Sequence, residues 1–264
     1  MPAYYIVPDQ VGQRVVLIGL AVAWAGLLFG GLLFRRSSSQ IAASHEMVDE
    51  MDIEPPRDIP IANRMLSSLT LVLAGWAWLF IVRDTLAVEY ALLIAVGMTC
   101  GFLGDVALAN LVRLPHPLLW GMGLFGVGHI CYMVAIVRLA MRSGLDAAGP
   151  RWIALGFWLL LSVMGWFFVV QRNRPRTMLR LAALPYALLL GSFVGVTMGV
   201  AVQDARFVLL ALGSVLFWVS DLLLAGEQFG EFRSRVAGNA IWLTYGPAQA
   251  LIVYSVGSVV AVVR

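Results

Sequence analysis

The chain has 264 residues, of which 61% are hydrophobic and only 12% charged, with a mean hydropathy of +0.87; a soluble domain carries about 25% charged residues. The net charge is +3, and all 18 basic residues are Arg, spread over the ends of apolar runs, so the sequence pI near 9.1 argues against nucleic-acid binding. Little of the chain is left over for a soluble domain.

Eight apolar runs cover about 12–34, 62–82, 88–110, 117–140, 151–171, 179–201, 206–226 and 239–261. Each reaches or approaches the roughly 20 residues that a helix needs to cross a bilayer. Only helices and closed barrels satisfy the backbone in lipid, and these runs lack the alternation of barrel strands. The expected fold is all-α: a polytopic membrane protein, an eight-transmembrane-helix bundle, in a single integral membrane domain over residues 1–264. The first run is too long for a signal peptide, and Arg35-Arg36 follow it in place of a small-residue cleavage site. Residues 35–61 carry Ser37-Ser38-Ser39, Asp49, Glu50, Asp52, Glu54 and Pro55-Pro56, and read as a polar connector between helices one and two.

Helix three carries Gly97-x-x-x-Gly101, and helix six carries Gly191-x-x-x-Gly195-x-x-x-Gly199. Such spacing makes a smooth face on which another helix packs closely. Pro185 and Pro247 fall inside helices six and eight, where each removes a backbone donor and favours a kink. Cys100 and Cys131 lie inside helices three and four and read as free buried thiols.

Eight crossings put both termini on one side, here side A. Eleven Arg (35, 36, 57, 64, 113, 172, 174, 176, 180, 233 and 235) then fall on side B, and seven (14, 83, 138, 142, 151, 206 and 264) on side A. The positive-inside rule makes side B cytoplasmic. The expected location is the bacterial inner (plasma) membrane.

Two aspartates stand inside apolar helices in near-repeating contexts, Gly104-Asp105-Val106-Ala107-Leu108-Ala109 in helix three and Ser220-Asp221-Leu222-Leu223-Leu224-Ala225 in helix seven. A carboxylate in a bilayer costs several kcal/mol unless it has a partner, a proton or water, so each marks a candidate functional site. Both lie about one and a half turns from the B end of a helix running A to B. Asn63 and Arg64 of helix two, Tyr186 of helix six, and Asn239, Thr244, Tyr245 and Gln249 of helix eight fall in the same half. His129 and Tyr132 of helix four lie near mid-depth. The A halves read as almost wholly apolar. A polar cavity opening toward side B is the expectation. Asp105 and His129 are 24 residues apart, as are Asp221 and Tyr245, which suggests that helices three–four and seven–eight are corresponding parts of two parallel halves.

Three His, with no His-x-x-x-His and no Cys/His cluster, fit metal hydrolysis poorly; no metal and no cofactor are expected. Ser220 and His129 leave a Ser–His–Asp arrangement open, without the Gly-x-Ser-x-Gly elbow. Two carboxylates at one depth suit another chemistry, with one as general acid and the other as an anion that activates water or stabilises a cation. The same pair between two hairpins also describes a proton-coupled transporter, and a non-catalytic lipid-binding protein is a third reading.

Gly104-Asp105, Gly128-His129-x-x-Tyr132, Phe217-x-x-Ser220-Asp221 and Tyr245-x-x-x-Gln249 together resemble the YhhN-like membrane proteins, the lysoplasmalogenase family, over roughly residues 60–255. The resemblance implies an eight-helix enzyme that cleaves the vinyl ether bond of a lysoplasmalogen to a fatty aldehyde and glycerophospho-ethanolamine or -choline. Its partners would be a lysophospholipid substrate and membrane lipid. Asp105 and Asp221 would form the carboxylate pair, titrating as a unit. His129, Tyr132, Tyr186, Asn239, Tyr245 and Gln249 would orient water and substrate. Arg64 or Arg113 would meet the phosphate. The lipid chain would lie along the apolar A-ward part of the bundle. The family often has Lys-Pro at the start of helix two, where this chain has Arg64-Met65.

Overall fold

A computed structural model describes residues 11–35, 59–172, 174–175, 177–230 and 235–260. Most of the 35–61 connector therefore lies outside the described residues. Among the described residues eight α-helices form: α1 (Val11–Arg35), α2 (Ile61–Ile81), α3 (Val88–Leu108), α4 (Pro117–Arg142), α5 (Ala148–Gly165), α6 (Met178–Ala201), α7 (Val208–Phe229) and α8 (Arg235–Val260). All are long and apolar enough to cross a membrane, α5 together with a π-helical end (Trp166–Gln171) and α7 with a preceding 3-10 turn (Ala205–Phe207). The protein is an integral membrane helix bundle, and there is no strand among the described residues.

Local chemistry explains the ends. α4 starts with Pro117 at its first position, where the missing N–H costs nothing, after His116 in a left-handed conformation (φ 55°). Thr177 caps α6 by accepting from the Arg180 N–H. The π turn closes with a bond from the Arg172 N–H to Phe167 O at 2.7 Å, and the Trp166 indole ties it to α6 by donating to Arg180 O at 2.9 Å. Glu89 at the start of α3 pairs with Arg138 and Arg142 at the end of α4, a clamp at the membrane rim.

Successive helices other than α4 and α5 pack as hairpins, and α2, α3, α4, α6, α7 and α8 close a ring, with α1 outside on α2 and α5 outside on α6. Shifting every helix number by four maps most of this packing onto itself: α1–α2 onto α5–α6, α2–α3 onto α6–α7, α3–α4 onto α7–α8, and α4–α6 onto α8–α2. The two halves suggested by the aspartate contexts are thus visible in the packing.

The glycine rows do what their spacing suggests. On α6, a Cβ at Gly195 would stand 2.7 Å from Leu155 Cα, and one at Gly199 3.1 Å from Arg151 Cα, so this face lies against the α5 backbone. On α3, Gly97 faces the Tyr132 ring and Gly128 O, but Gly101 has another use: a Cβ there would stand 2.8 Å from Gln249 Nε2. Pro185 and Pro247 stand inside α6 and α8 as expected, and Cys100 and Cys131 are free and half-buried.

The A halves are less apolar than the sequence suggests. Tyr90 shares a hydrogen bond with Ser255 at 2.8 Å, and Thr197 with Ser214 at 2.6 Å, all four buried. These hydroxyls are spent on one another across helix pairs, which satisfies them.

Candidate active site

The B half is different: its polar groups converge on space. A cavity of about 630 Å³ lies among α2, α3, α7 and α8 and is lined by Arg64, Asp105, Ser220, Asp221, Gln228, Trp242 and Tyr245, with Met65, Leu108, Ala109, Phe125, Leu224 and Ile241. The two aspartates thus line one cavity, and Asp105 lies within the electrostatic reach of both Arg64 and Asp221.

The carboxyl groups are held in related ways. Asp105 is 5% exposed, and its Oδ2 accepts from Ser68 Oγ at 2.6 Å and from Tyr245 OH at 2.9 Å. Asp221 is half-buried and accepts from Tyr186 OH. Ser68 is on α2 and Tyr186 on α6, so in each half the preceding helix supplies the hydroxyl that orients the aspartate. The halves part company at Tyr245, which serves Asp105 alone because α8 packs on α3. Within each hairpin, neither His129 with Asp105 nor Tyr245 with Asp221 forms a hydrogen bond among the described contacts.

A relay stands behind Asp105. Tyr132 OH donates to Gln249 Oε1 at 3.0 Å, Gln249 Nε2 donates to Tyr245 OH at 3.2 Å, and Tyr245 OH donates to Asp105. This order sets the orientation of the Gln249 amide, since each of its ends has one fitting partner. Gly101 makes room for that amide. Tyr132 and Gln249 therefore sit behind the cavity, each 1% exposed.

His129 is buried and is not among the residues that line this cavity. Its Nδ1 lies 2.7 Å from Phe125 O, a pure acceptor, so Nδ1 carries the proton. Its ring packs against Phe217 at 4.5 Å, Phe193 at 5.2 Å and Tyr186 at 6.1 Å between centroids. Ser220 Oγ donates to Ile241 O at 3.1 Å. No Ser–His–Asp chain connects these groups.

Arg64 is 4% exposed and lies over the Trp242 ring, 5.5 Å from its centroid, within reach of a ligand phosphate in the cavity. Arg113 is exposed in the loop between α3 and α4, and Asn239 lies in the first turns of α8; neither is among the residues that line this cavity. Asn63 and Thr244, which share this half of the membrane, are spent on backbone: Asn63 Nδ2 donates to Leu27 O of α1 at 2.9 Å, and Thr244 Oγ1 to Ala240 O at 2.7 Å. Ser68, Gln228 and Trp242 are site residues that the sequence reading passes over. For Ser68 the signal is a Ser67-Ser68 pair in an apolar helix; for the others it is a position within two turns of Asp221 or Tyr245.

A second cavity lies to one side of the first in the same half, among α4, the end of α5, α6 and α7. Its walls include Leu118, Met122, Trp166, Leu190, Trp218 and Leu222, and it shares Asp221 and Gln228 with the first. Apolar space next to the carboxylates thus lies in the B half; the A half holds a smaller pocket lined by residues such as Glu89, Tyr90, Arg138 and Val259, beside fully buried side chains such as Ile94 and Val256.

Three or more His, Cys, Asp or Glu grouped as metal ligands are absent among the described residues. No curated protein and no solved structure matches the chain. A family model described as YhhN family matches residues 62–256. The match runs from the first turn of α2 into the last turns of α8 and takes in every residue lining both cavities; the chain belongs to the YhhN family.

Proposed function

We propose that this protein is a membrane-embedded hydrolase that cleaves the vinyl ether bond of a lysoplasmalogen-type lysolipid, releasing a fatty aldehyde and the glycerophospho-headgroup. The observation that carries this reading is the joint lining of one cavity by Asp105, Asp221 and Arg64. Family membership supports it.

Vinyl ether hydrolysis asks for few groups. A general acid protonates the outer vinyl carbon, the C=C electrons forming the new C–H bond and leaving an oxocarbenium ion. Water adds to that cation and gives up a proton to a carboxylate. The hemiacetal then collapses to aldehyde and alcohol, its hydroxyl proton passing to the departing alkoxide oxygen. Overall one ether and one water become one aldehyde and one alcohol. One carboxyl supplies the proton and the other faces the cation, in a site whose dipoles are already oriented. Ser68, Tyr245 and Tyr186 hold the two carboxyl groups by donating to them. Arg64 presents a planar fork to the phosphate. Tyr132 and Gln249 act through Tyr245, and His129 through the aromatic wall formed with Phe217.

The test is mass spectrometry of 1-O-alkenyl lysophospholipids before and after incubation with the purified protein. Release of fatty aldehyde is the expected result. Lipid recovered unchanged from the protein would sink the hydrolase and favour a binding protein. Proton-driven accumulation in vesicles without aldehyde would favour a transporter.

A further inference from the structure

The two halves of the bundle match in their helix pairing and in the hydroxyl that orients each aspartate, but not everywhere. α3 packs on α8, and Tyr245 crosses that contact to Asp105. The equivalent pair under the shift of four helices is α7 with α4, and there aromatic rings stand between the helices: Phe217 meets Phe125 at 6.1 Å and His129 at 4.5 Å between centroids. The second cavity lies on this looser side, walled by Leu118 and Met122 of α4 and by Trp218 and Leu222 of α7. A feature in which one half departs from the other has a cause beyond the shared packing rule.

Three further details keep this space open. Gly165, the last residue of α5, lines it, and a Cβ there would stand 3.2 Å from Leu222 Cδ1 and 3.6 Å from Trp218 Cζ2. The helix continues as a π turn from Trp166, and such widened turns recur at functional sites. Trp218 donates to Ser162 Oγ at 2.9 Å, which holds its indole as a wall.

We infer that the two cavities are the two parts of one binding site for a single-chain phospholipid: the second chamber takes the hydrocarbon chain, the Arg64 chamber takes the phosphate headgroup, and the bond joining chain to headgroup lies at Asp221. The argument is the sharing. Among the described residues, only Asp221 and Gln228 line both chambers. Gln228 lies two turns closer to the B end of α7 than Asp221. In a lysolipid with an ether-linked chain, the ether is where the apolar part ends and the polar part begins. A molecule lying across both chambers places that junction beside Asp221, while Asp105 faces it from within the headgroup chamber. This deepens the proposed reaction, and it assigns Asp221 as the proton donor to the vinyl carbon.

The experiment uses a saturated 1-O-alkyl lysophospholipid with a diazirine at the chain end, which has no vinyl ether to hydrolyse, bound to the full-length protein in nanodiscs. Photolysis followed by peptide mass spectrometry reads where the chain end lies. Expected are adducts on chamber residues such as Trp166, Leu190 and Leu222, reduced at least fivefold in Gly165→Leu and competed by unlabelled lysolipid. Removing the phosphate from the probe should weaken wild-type labelling and make it insensitive to Arg64→Gln. Adducts confined to the lipid-facing Phe157 and Leu160, or to buried residues of the A half, overturn the inference. Because wild-type labelling is itself decisive, a Gly165→Leu protein that fails to fold does not spare it. Chamber labelling without aldehyde release from the vinyl ether substrate would leave the two-chamber site standing and overturn the proposed reaction.

Discussion

Tyr245 of α8 donates a hydrogen bond to Asp105 of α3 at 2.9 Å, on the same carboxyl oxygen that accepts from Ser68 at 2.6 Å. Two donors on one oxygen orient the carboxyl plane and leave the other oxygen to meet the cavity. Tyr245→Phe keeps the ring packing against Phe125, Phe217 and Trp242 but removes the hydroxyl. Aldehyde release from a vinyl ether lysolipid is expected to fall about 10- to 100-fold, with stability lowered by about 1–3 kcal/mol, since Gln249 Nε2 loses its acceptor. Initial rates and thermal unfolding in detergent give the two numbers; an unchanged rate would remove Tyr245 from the site.

Replacing either aspartate by Asn keeps shape and hydrogen-bond capacity while removing the charge and the acid. Asp105→Asn and Asp221→Asn are each expected to lower aldehyde release by 10²-fold or more, in the range found for lost acid–base groups, with helical content retained. The double variant should be no slower than the worse single one, because the pair works as a unit. Full activity in both single variants would sink the carboxylate mechanism.

Gly101 makes room for the relay. Its Cβ in Gly101→Ala would press to 2.8 Å on Gln249 Nε2, the group that donates to Tyr245. The expected outcome is a fall in kcat of a few-fold to tenfold with little change in KM, read by steady-state kinetics. A loss confined to stability would make Gly101 a packing residue only.

The α6 glycines set how closely α5 approaches. Gly195→Leu drives a side chain into the α5 backbone at Leu155 Cα, 2.7 Å away, and should cost about 1–3 kcal/mol by overpacking. Gly156→Leu, on the face of α5 with nothing within 4 Å, is the control and should leave the melting temperature unchanged. Equal melting temperatures for the two would contradict the α5–α6 contact.

On side A, the Arg206 guanidinium beside Asp204 holds its carboxyl below the usual carboxylate range. A depressed carboxyl stabilises the fold above its unfolded pKa and loses that contribution as pH falls through its folded value. Asp204→Asn is therefore expected to cost at most about 1 kcal/mol at neutral pH, with the difference from wild type vanishing in acid. Thermal unfolding at pH 7 and below pH 3 checks the sign; a difference that grows in acid would contradict it.

Hydropathy and the sparseness of charge by themselves determined the eight spans, to within a few residues at most ends. The expected 62–82, 117–140 and 206–226 compare with Ile61–Ile81, Pro117–Arg142 and Ala205–Phe229. They also set the depth of Asp105 and Asp221, because rise along a helix is constant and an apolar run cannot shift far in lipid. The matching aspartate contexts announced the two halves seen in the packing. Partner choice was another matter. That Asp105 takes Ser68 and Tyr245, that Asp221 takes Tyr186, that Arg64 lies buried over Trp242 while Arg113 stays outside, and that the apolar chamber lies in the B half between α4 and α7 were decided only by the tertiary structure. Those facts depend on the rotation of each helix about its axis and on which helix lies beside it. A nearly uniformly apolar helix, with no polar stripe to show which face points inward, leaves that rotation to side-chain packing across the bundle.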